Sequence, residues 1–161
     1  MRCHSQSPAD TRALAAALGE AAPPEGAVVS LEGPLGAGKT VFVKGLAAAL
    51  GLDERVVASP TFVIAGEYPL AGSGRPARLV HVDFYRVQSE QELEAAGLMD
   101  WLDAGSLLVA EWGDRFPGAL PEDRLDVRIA AGEVSESRII EAEARGPRSR
   151  ALLERWSSRW R

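Results

Sequence analysis

Leu31-Glu32-Gly33-Pro34-Leu35-Gly36-Ala37-Gly38-Lys39-Thr40 is the stretch that decides how this chain folds. It meets the spacing G-x-x-x-x-G-K-T in full, from Gly33 to Thr40. The residues before it, Ala27-Val28-Val29-Ser30-Leu31, form a short apolar run of the kind that makes a buried strand. Those after it, from Lys39 to Leu50, have helical character and close on Gly51. Strand, glycine loop and helix therefore follow in the order that a phosphate-binding turn needs. Glycines at 33, 36 and 38 let the backbone curl so that successive N–H groups face one anion. The helix N-terminus adds roughly half a positive charge at the same place. Leu35 and Ala37 contribute backbone to the cradle, Lys39 is expected to reach the outer phosphates, and the Thr40 hydroxyl to ligate magnesium. ATP with magnesium is the expected ligand.

The choice of lysine at position 39 is itself informative. Of 18 basic residues only Lys39 and Lys44 are lysines. An ammonium is a compact point charge that fits between phosphate oxygens, whereas a guanidinium is planar and broad.

Outward from the loop, two more apolar runs end in acids. Arg78-Leu79-Val80-His81-Val82-Asp83 and Ser106-Leu107-Leu108-Val109-Ala110-Glu111 read as strands. In an open α/β sheet the carboxyl ends of the strands line the ligand crevice, which puts Asp83 and Glu111 beside the phosphate loop. One is expected to hold magnesium and the other to orient a water as general base; spacing alone does not assign the roles. Thr61, in Ser59-Pro60-Thr61, can lend a hydroxyl to magnesium or phosphate as a switch, or belong to an ordinary Ser-Pro turn. Trp112 reads as core. His81 reads as pointing away from Asp83's neighbours, a satisfied core or surface histidine. Arg86 and Arg115 are phosphate contacts of lower rank.

The remaining punctuation completes the pattern. Ser7-Pro8-Ala9-Asp10 is a capping box opening a helix that carries Leu14 and Leu18 and is expected to stop at Gly19. A strand is expected over 61–68 and a loop over 69–76. Ser89-Glu90-Gln91-Glu92 caps a second helix that reaches Ala96 before Gly97. Leu125, Val127 and Ile129 alternate with polar residues, and the turn at Ala131-Gly132 leads into 137–144, which makes a hairpin. Residues 149–160 form a helix with Leu152, Leu153, Trp156 and Trp160 on one face.

Alternating strands and crossover helices imply an α/β fold like that of P-loop NTPases. Three layers are expected, with a mostly parallel central sheet and the antiparallel C-terminal hairpin at one edge. With 161 residues and no linker, one domain over 1–161 is expected, its Arg-rich terminal helix lying at about 147–161.

Composition excludes several classes. A formal charge of −5 argues against a protein that grips nucleic acid alone. Six arginines against Glu154 crowd 145–161, and they read as a solvated helix face rather than an RNA grip, so that removing the tail is expected to leave nucleotide affinity intact. One cysteine, Cys3, and two histidines leave no disulfide and no usual zinc site. No apolar run approaches a membrane span and the N-terminus lacks a signal-peptide core, so a cytoplasmic location is expected. A guanine-reading N/T-K-x-D segment needs a lysine beyond position 44, and there is none.

Four landmarks in one order resemble a known family. They are Leu31 to Thr40, then Ser59-Pro60-Thr61-Phe62, then His81-Val82-Asp83-Phe84-Tyr85-Arg86, then Glu111-Trp112. Together they are similar to the TsaE (YjeE) family of small bacterial ATPases in tRNA threonylcarbamoyladenosine biosynthesis, over about residues 8 to 130. The resemblance implies weak ATP hydrolysis in isolation. It implies action with the TsaB and TsaD proteins, which place threonylcarbamoyl on N6 of adenosine 37 in tRNAs reading ANN codons. It makes Lys39 and Thr40 phosphate and magnesium residues, Thr61 part of a switch, Asp83 a magnesium-site acid and Glu111 the acid needed for hydrolysis. It also raises Trp112 to a site or interface residue. The chain departs from the family's pattern at Val41, where a second Thr is common, and at Gly113-Asp114, which replaces a Pro-acid pair. A small-molecule P-loop kinase and a nucleotide-dependent binding module without hydrolysis are the alternatives, and indifference to loss of Glu111 would mark the latter.

Overall fold

In the computed structural model, residues 1–57 and 64–160 are described. Seven strands among them form one sheet: β1 (Arg2–Ser5), β2 (Ala27–Glu32), β3 (Ala65–Pro69), β4 (Arg78–Asp83), β5 (Ser106–Glu111), β6 (Leu125–Ala131) and β7 (Arg138–Ala144). Their order across the sheet is β1-β7-β6-β2-β5-β4-β3. The four central strands, β6, β2, β5 and β4, run parallel. The flanks are antiparallel, β3 on β4 at one side and β7 then β1 at the other. The expected C-terminal hairpin is present, with β6 joined in parallel to β2. One further strand, β1, lies outside it.

Strand alternation sorts the side chains into two cores. Leu79, Leu107, Val109, Val29, Leu31, Leu125, Val127 and Ile129 face helices α1 (Pro8–Ala21), α2 (Lys39–Ala49) and α5 (Pro147–Trp160). Val80, Val82, Leu108 and Ala110 face the other way, with Leu93, Leu98 and Trp101 of α3 (Glu90–Ala96) and α4 (Leu98–Trp101). The sheet is thus covered on both sides, as crossover connections require. No helix among the described residues is long and apolar enough to cross a membrane.

The serine half of both capping boxes forms as expected, while the acids Asp10 and Glu92 accept from the N–H groups of Gln6 and Gln88, one residue before each cap. Ser7 Oγ accepts from the Asp10 N–H at 3.2 Å, and Ser89 Oγ from the Glu92 N–H at 3.2 Å. The first helix does not stop at Gly19, however; it continues to Ala21. Gly19 marks close contact instead, since a Cβ there would lie 2.8 Å from the Leu46 carbonyl oxygen of α2. Gly45 answers from α2, where a Cβ would lie 2.4 Å from the Arg12 carbonyl oxygen. Two missing side chains let α1 and α2 touch backbone to backbone, and this contact seats the helix that carries Lys39 and Thr40.

The Arg-rich terminal segment is a core element. Leu152 and Trp156 are wholly buried. The Trp156 indole N–H donates to the Leu14 carbonyl at 2.9 Å, and its ring meets Phe42 edge-on at 6.1 Å. Asp123 caps the helix from a distant loop, its two carboxylate oxygens accepting from the Arg148 and Ser149 N–H groups at 2.9 and 3.0 Å. Arg148, Arg150 and Arg159 are exposed, as expected of a solvated face, whereas Arg155 is half-buried and donates to the Ala21 carbonyl of α1 at 3.0 Å.

Candidate phosphate-binding site

Three strand ends meet at one edge of the sheet. Register places Leu31 of β2 beside Glu111 of β5, and Glu111 beside Asp83 of β4. The glycine loop leaves β2 just past this row and enters α2 at Lys39. Gly38, with φ +105°, makes the left-handed entry to the helix. Gly33, with φ +145°, has no room for a side chain, because a Cβ would lie 2.3 Å from the Ile129 carbonyl oxygen of β6. Leu35 projects from the loop and is 78% exposed.

Lys39 is buried, and its ammonium donates to the carbonyls of Gly33 and Pro34 at 2.6 and 2.9 Å. It also lies 3.9 Å from the centre of the Trp112 ring, a cation–π contact. Burial pulls its pKa below the usual 10.5, against the opposing pull of Glu111, Asp83 and Asp114. A lysine held this way has its ammonium on the loop's own carbonyls and its charge incompletely solvated.

His81, Asp83 and Glu111 all lie on the α2 side of the sheet, because residues two apart on a strand share a face. The reading of His81 as pointing away is therefore corrected. Its Nε2 lies 2.6 Å from Glu111 Oε2, and both side chains are buried. Nor is His81 fully satisfied, since its buried Nδ1 has no partner among the described residues. The other oxygen of Glu111 accepts from the Thr40 hydroxyl at 3.1 Å. One carboxylate thus joins the first turn of α2 to the histidine of β4. Asp83 accepts from the Tyr85 N–H at 2.9 Å, which turns the chain after β4.

Trp112 packs in the second core cluster and also against Lys39 of the glycine loop, and stacks at 5.1 Å against Tyr85. Its backbone is left-handed, with φ +60°, a conformation uncommon for a bulky side chain and frequent at ligand sites. The following Gly113 sits in a tight place, since a Cβ there would lie 2.1 Å from Ser30 Oγ. The chain then makes a 3₁₀ turn over Gly113–Arg115. Arg115 is used structurally, its guanidinium donating to the carbonyls of Phe84 and Tyr85. Its expected phosphate role is not supported by that geometry. Thr61 lies outside the described residues.

One residue that sequence reading passed over also reaches the loop. Arg138, at the start of β7, donates to the Ala37 carbonyl at 2.8 Å and to the Gly36 carbonyl at 3.4 Å. Nothing short of the β6–β7 register and the packing of β6 on β2 brings it there.

Magnesium takes hard oxygen donors and keeps several waters and phosphate oxygens. The Thr40 hydroxyl and the carboxylates of Glu111 and Asp83 fit that demand. Among the described residues no group of three or more His, Cys, Asp and Glu gathers as a metal cage.

The model of the family "Threonylcarbamoyl adenosine biosynthesis protein TsaE" matches residues 5–140. A tRNA threonylcarbamoyladenosine biosynthesis protein TsaE of Mycobacterium leprae is 41% identical over 135 residues, covering 81% of this chain and 82% of that one. The protein of the same name in Bacillus subtilis is 37% identical over 158 residues, covering 98% and 94%. The crystal structure of YdiB from Bacillus subtilis superposes with a TM-score of 0.76 at 33% identity, again covering 98% and 94%. The fold is therefore shared almost end to end, including α5, which lies beyond the matched family segment. With its glycine loop, its paired strand-end acids and these likenesses together, the chain belongs to the TsaE family.

Proposed function

We propose that this chain binds ATP with magnesium at Gly33–Thr40 and hydrolyses it in support of tRNA threonylcarbamoyladenosine formation. The observation that carries the reading is the convergence on one loop of Lys39, Thr40 and Glu111, with Asp83 adjacent in register. The loop amides and the α2 N-terminus bind the phosphates, and Lys39 neutralises their outer charge. Thr40 and Asp83 would hold magnesium, which leaves Glu111, beside them, to act on the water. When bound, the metal neutralises charge building on the phosphate oxygens.

Glu111 is the residue suited to accept the proton of an attacking water. Its carboxylate is buried and pinned at both oxygens, by Thr40 and by His81, so it is oriented before substrate arrives. Asp83 stands one strand farther out, at the edge of the same row. Trp112 shields the Lys39 ammonium from water on one side, which strengthens its pull on phosphate.

The pathway rests on family membership and on the names of the relatives. In this reading TsaB and TsaD are the partners, tRNA is the substrate of the complex, hydrolysis does work on that assembly, and the location is cytoplasmic. The test is an ATPase assay of the purified chain with and without TsaB, TsaD and tRNA. Strong stimulation by the partners is expected. Fast turnover with a small metabolite as phosphate acceptor would favour a kinase instead.

A further inference from the structure

We infer that Arg138 is a positioning residue for phosphate binding, one that aims the amides of the glycine loop from behind. The inference rests on the nucleotide reading above and concerns how the loop is held for it.

The guanidinium of Arg138 makes its contacts with backbone carbonyls on two separate segments. Nε donates to Ala37 at 2.8 Å and Nη2 lies 3.4 Å from the Gly36 carbonyl, both in the glycine loop. Nη1 donates to Ser135 at 2.9 Å and Ser137 at 2.7 Å, both in the β6–β7 turn. One planar cation with forked donors thus ties the turn to the loop, a geometry that the single ammonium of a lysine cannot reproduce.

The consequence follows from peptide geometry. In a trans peptide the C=O and the next N–H point in opposite directions. Holding the Ala37 carbonyl on Arg138 therefore sends the Gly38 N–H away from the guanidinium. Gly38 is also where the backbone turns left-handed into α2, so the peptide held by Arg138 is the one that leads into the helix. A cation bonded to the carbonyl also polarises the peptide and makes its N–H a better donor. Arg138 thereby prepares an anion-binding amide without itself touching the anion.

The experiment is titration calorimetry of the full chain with Mg-ATP, and with magnesium tripolyphosphate as a probe lacking the nucleoside. Unmodified chain, Arg138→Met and Arg138→Lys are compared well below their thermal midpoints. Arg138→Met is expected to weaken both ligands by about tenfold, which is about 1.4 kcal/mol. Arg138→Lys should recover only part of that, and in steady state KM should rise more than kcat falls. If Arg138→Met does not fold, Arg138→Gln serves, with the same expectation. Dissociation constants within twofold of the unmodified chain overturn the inference while leaving the nucleotide reading intact. A loss confined to ATP also overturns it, because the effect would then lie with the nucleoside. No binding by the unmodified chain overturns both.

Discussion

Thr40 and Glu111 are joined by a hydrogen bond of 3.1 Å, hydroxyl to carboxylate, across the gap between α2 and β5. They are 71 residues apart in sequence, yet they complete one oxygen-rich corner at the mouth of the glycine loop. The second oxygen of Glu111 is engaged by His81, so loss of this carboxylate affects more than chemistry.

Glu111→Gln is accordingly the informative variant. Glu111→Ala leaves the buried His81 ring with neither nitrogen bonded, a desolvation cost of about 1–3 kcal/mol in addition to any catalytic loss. The amide of Gln keeps the volume and one acceptor. It is expected to bind Mg-ATP within a few-fold of normal and to lose about 10²–10⁴ in turnover, the usual worth of a general base. Single-turnover and steady-state ATPase measurements check this; undiminished turnover would favour a nucleotide-dependent binding module.

Lys39→Met separates binding from folding. The folded-state pKa of Lys39 lies below the usual 10.5, so between those values the unfolded chain holds more protons than the folded one. Stability therefore gains from this group only as pH rises through the folded pKa toward 10.5, and at neutral pH the buried charge is a cost. Removing it should leave the melting temperature of the ligand-free chain equal or higher. The rise on adding Mg-ATP at a hundredfold excess over its dissociation constant, worth about 2–3 kcal/mol, should vanish. Differential scanning fluorimetry reads both halves, and a persisting ATP shift would remove the phosphate-loop claim.

Much of this corner was legible in the sequence, because each part is written in contiguous residues. A glycine loop between an apolar run and a helix is local, and so is an acid closing a strand. The pieces that were not legible depend on register or on packing. Arg138 reaches the loop only because β7 pairs with β6 and β6 with β2. His81 meets Glu111 through the parallel pairing of β4 and β5. Gly19 looks the same in sequence whether it ends a helix or lets another helix approach. The strand Arg2–Ser5 has only four residues, too few for alternation to stand out.

The terminal helix gives a third outcome. Trp156 is fully buried between α1 and α2, so Trp156→Ala should cost about 3–5 kcal/mol. Arg150→Ala on the exposed side should stay within about 0.5 kcal/mol. Deleting 146–161 then lowers apparent ATP affinity through unfolding, contrary to what the charge pattern suggests. Urea titrations of the three variants distinguish a core helix from a detachable tail.

The cap on that helix predicts an acid limb. Burial raises the Asp123 carboxyl pKa, but the N–H groups of Ser149 and Arg148 outweigh it, and the net pKa falls below the usual 3.8. Its contribution is thus complete above pH 3.8 and is lost as pH drops through the folded value. Asp123→Asn should flatten that part of the stability profile, measured by thermal melts between about pH 2 and 5. An unchanged acid limb would show that the cap carries no linked stability.

Gly45→Ala tests the seating of α2. In an open helix interior this change gains about 0.5–1 kcal/mol, because alanine loses less backbone entropy. Here the added methyl would sit 2.4 Å from the Arg12 carbonyl oxygen, which is backbone and cannot rotate aside. The sign should reverse, with a loss of about 1–3 kcal/mol or more as α1 and α2 are forced apart. Since Lys39 and Thr40 ride on the first turn of α2, the same displacement should weaken Mg-ATP binding in the molecules that remain folded. Stabilisation by Gly45→Ala in a urea titration would mean that the two helices do not meet at this glycine.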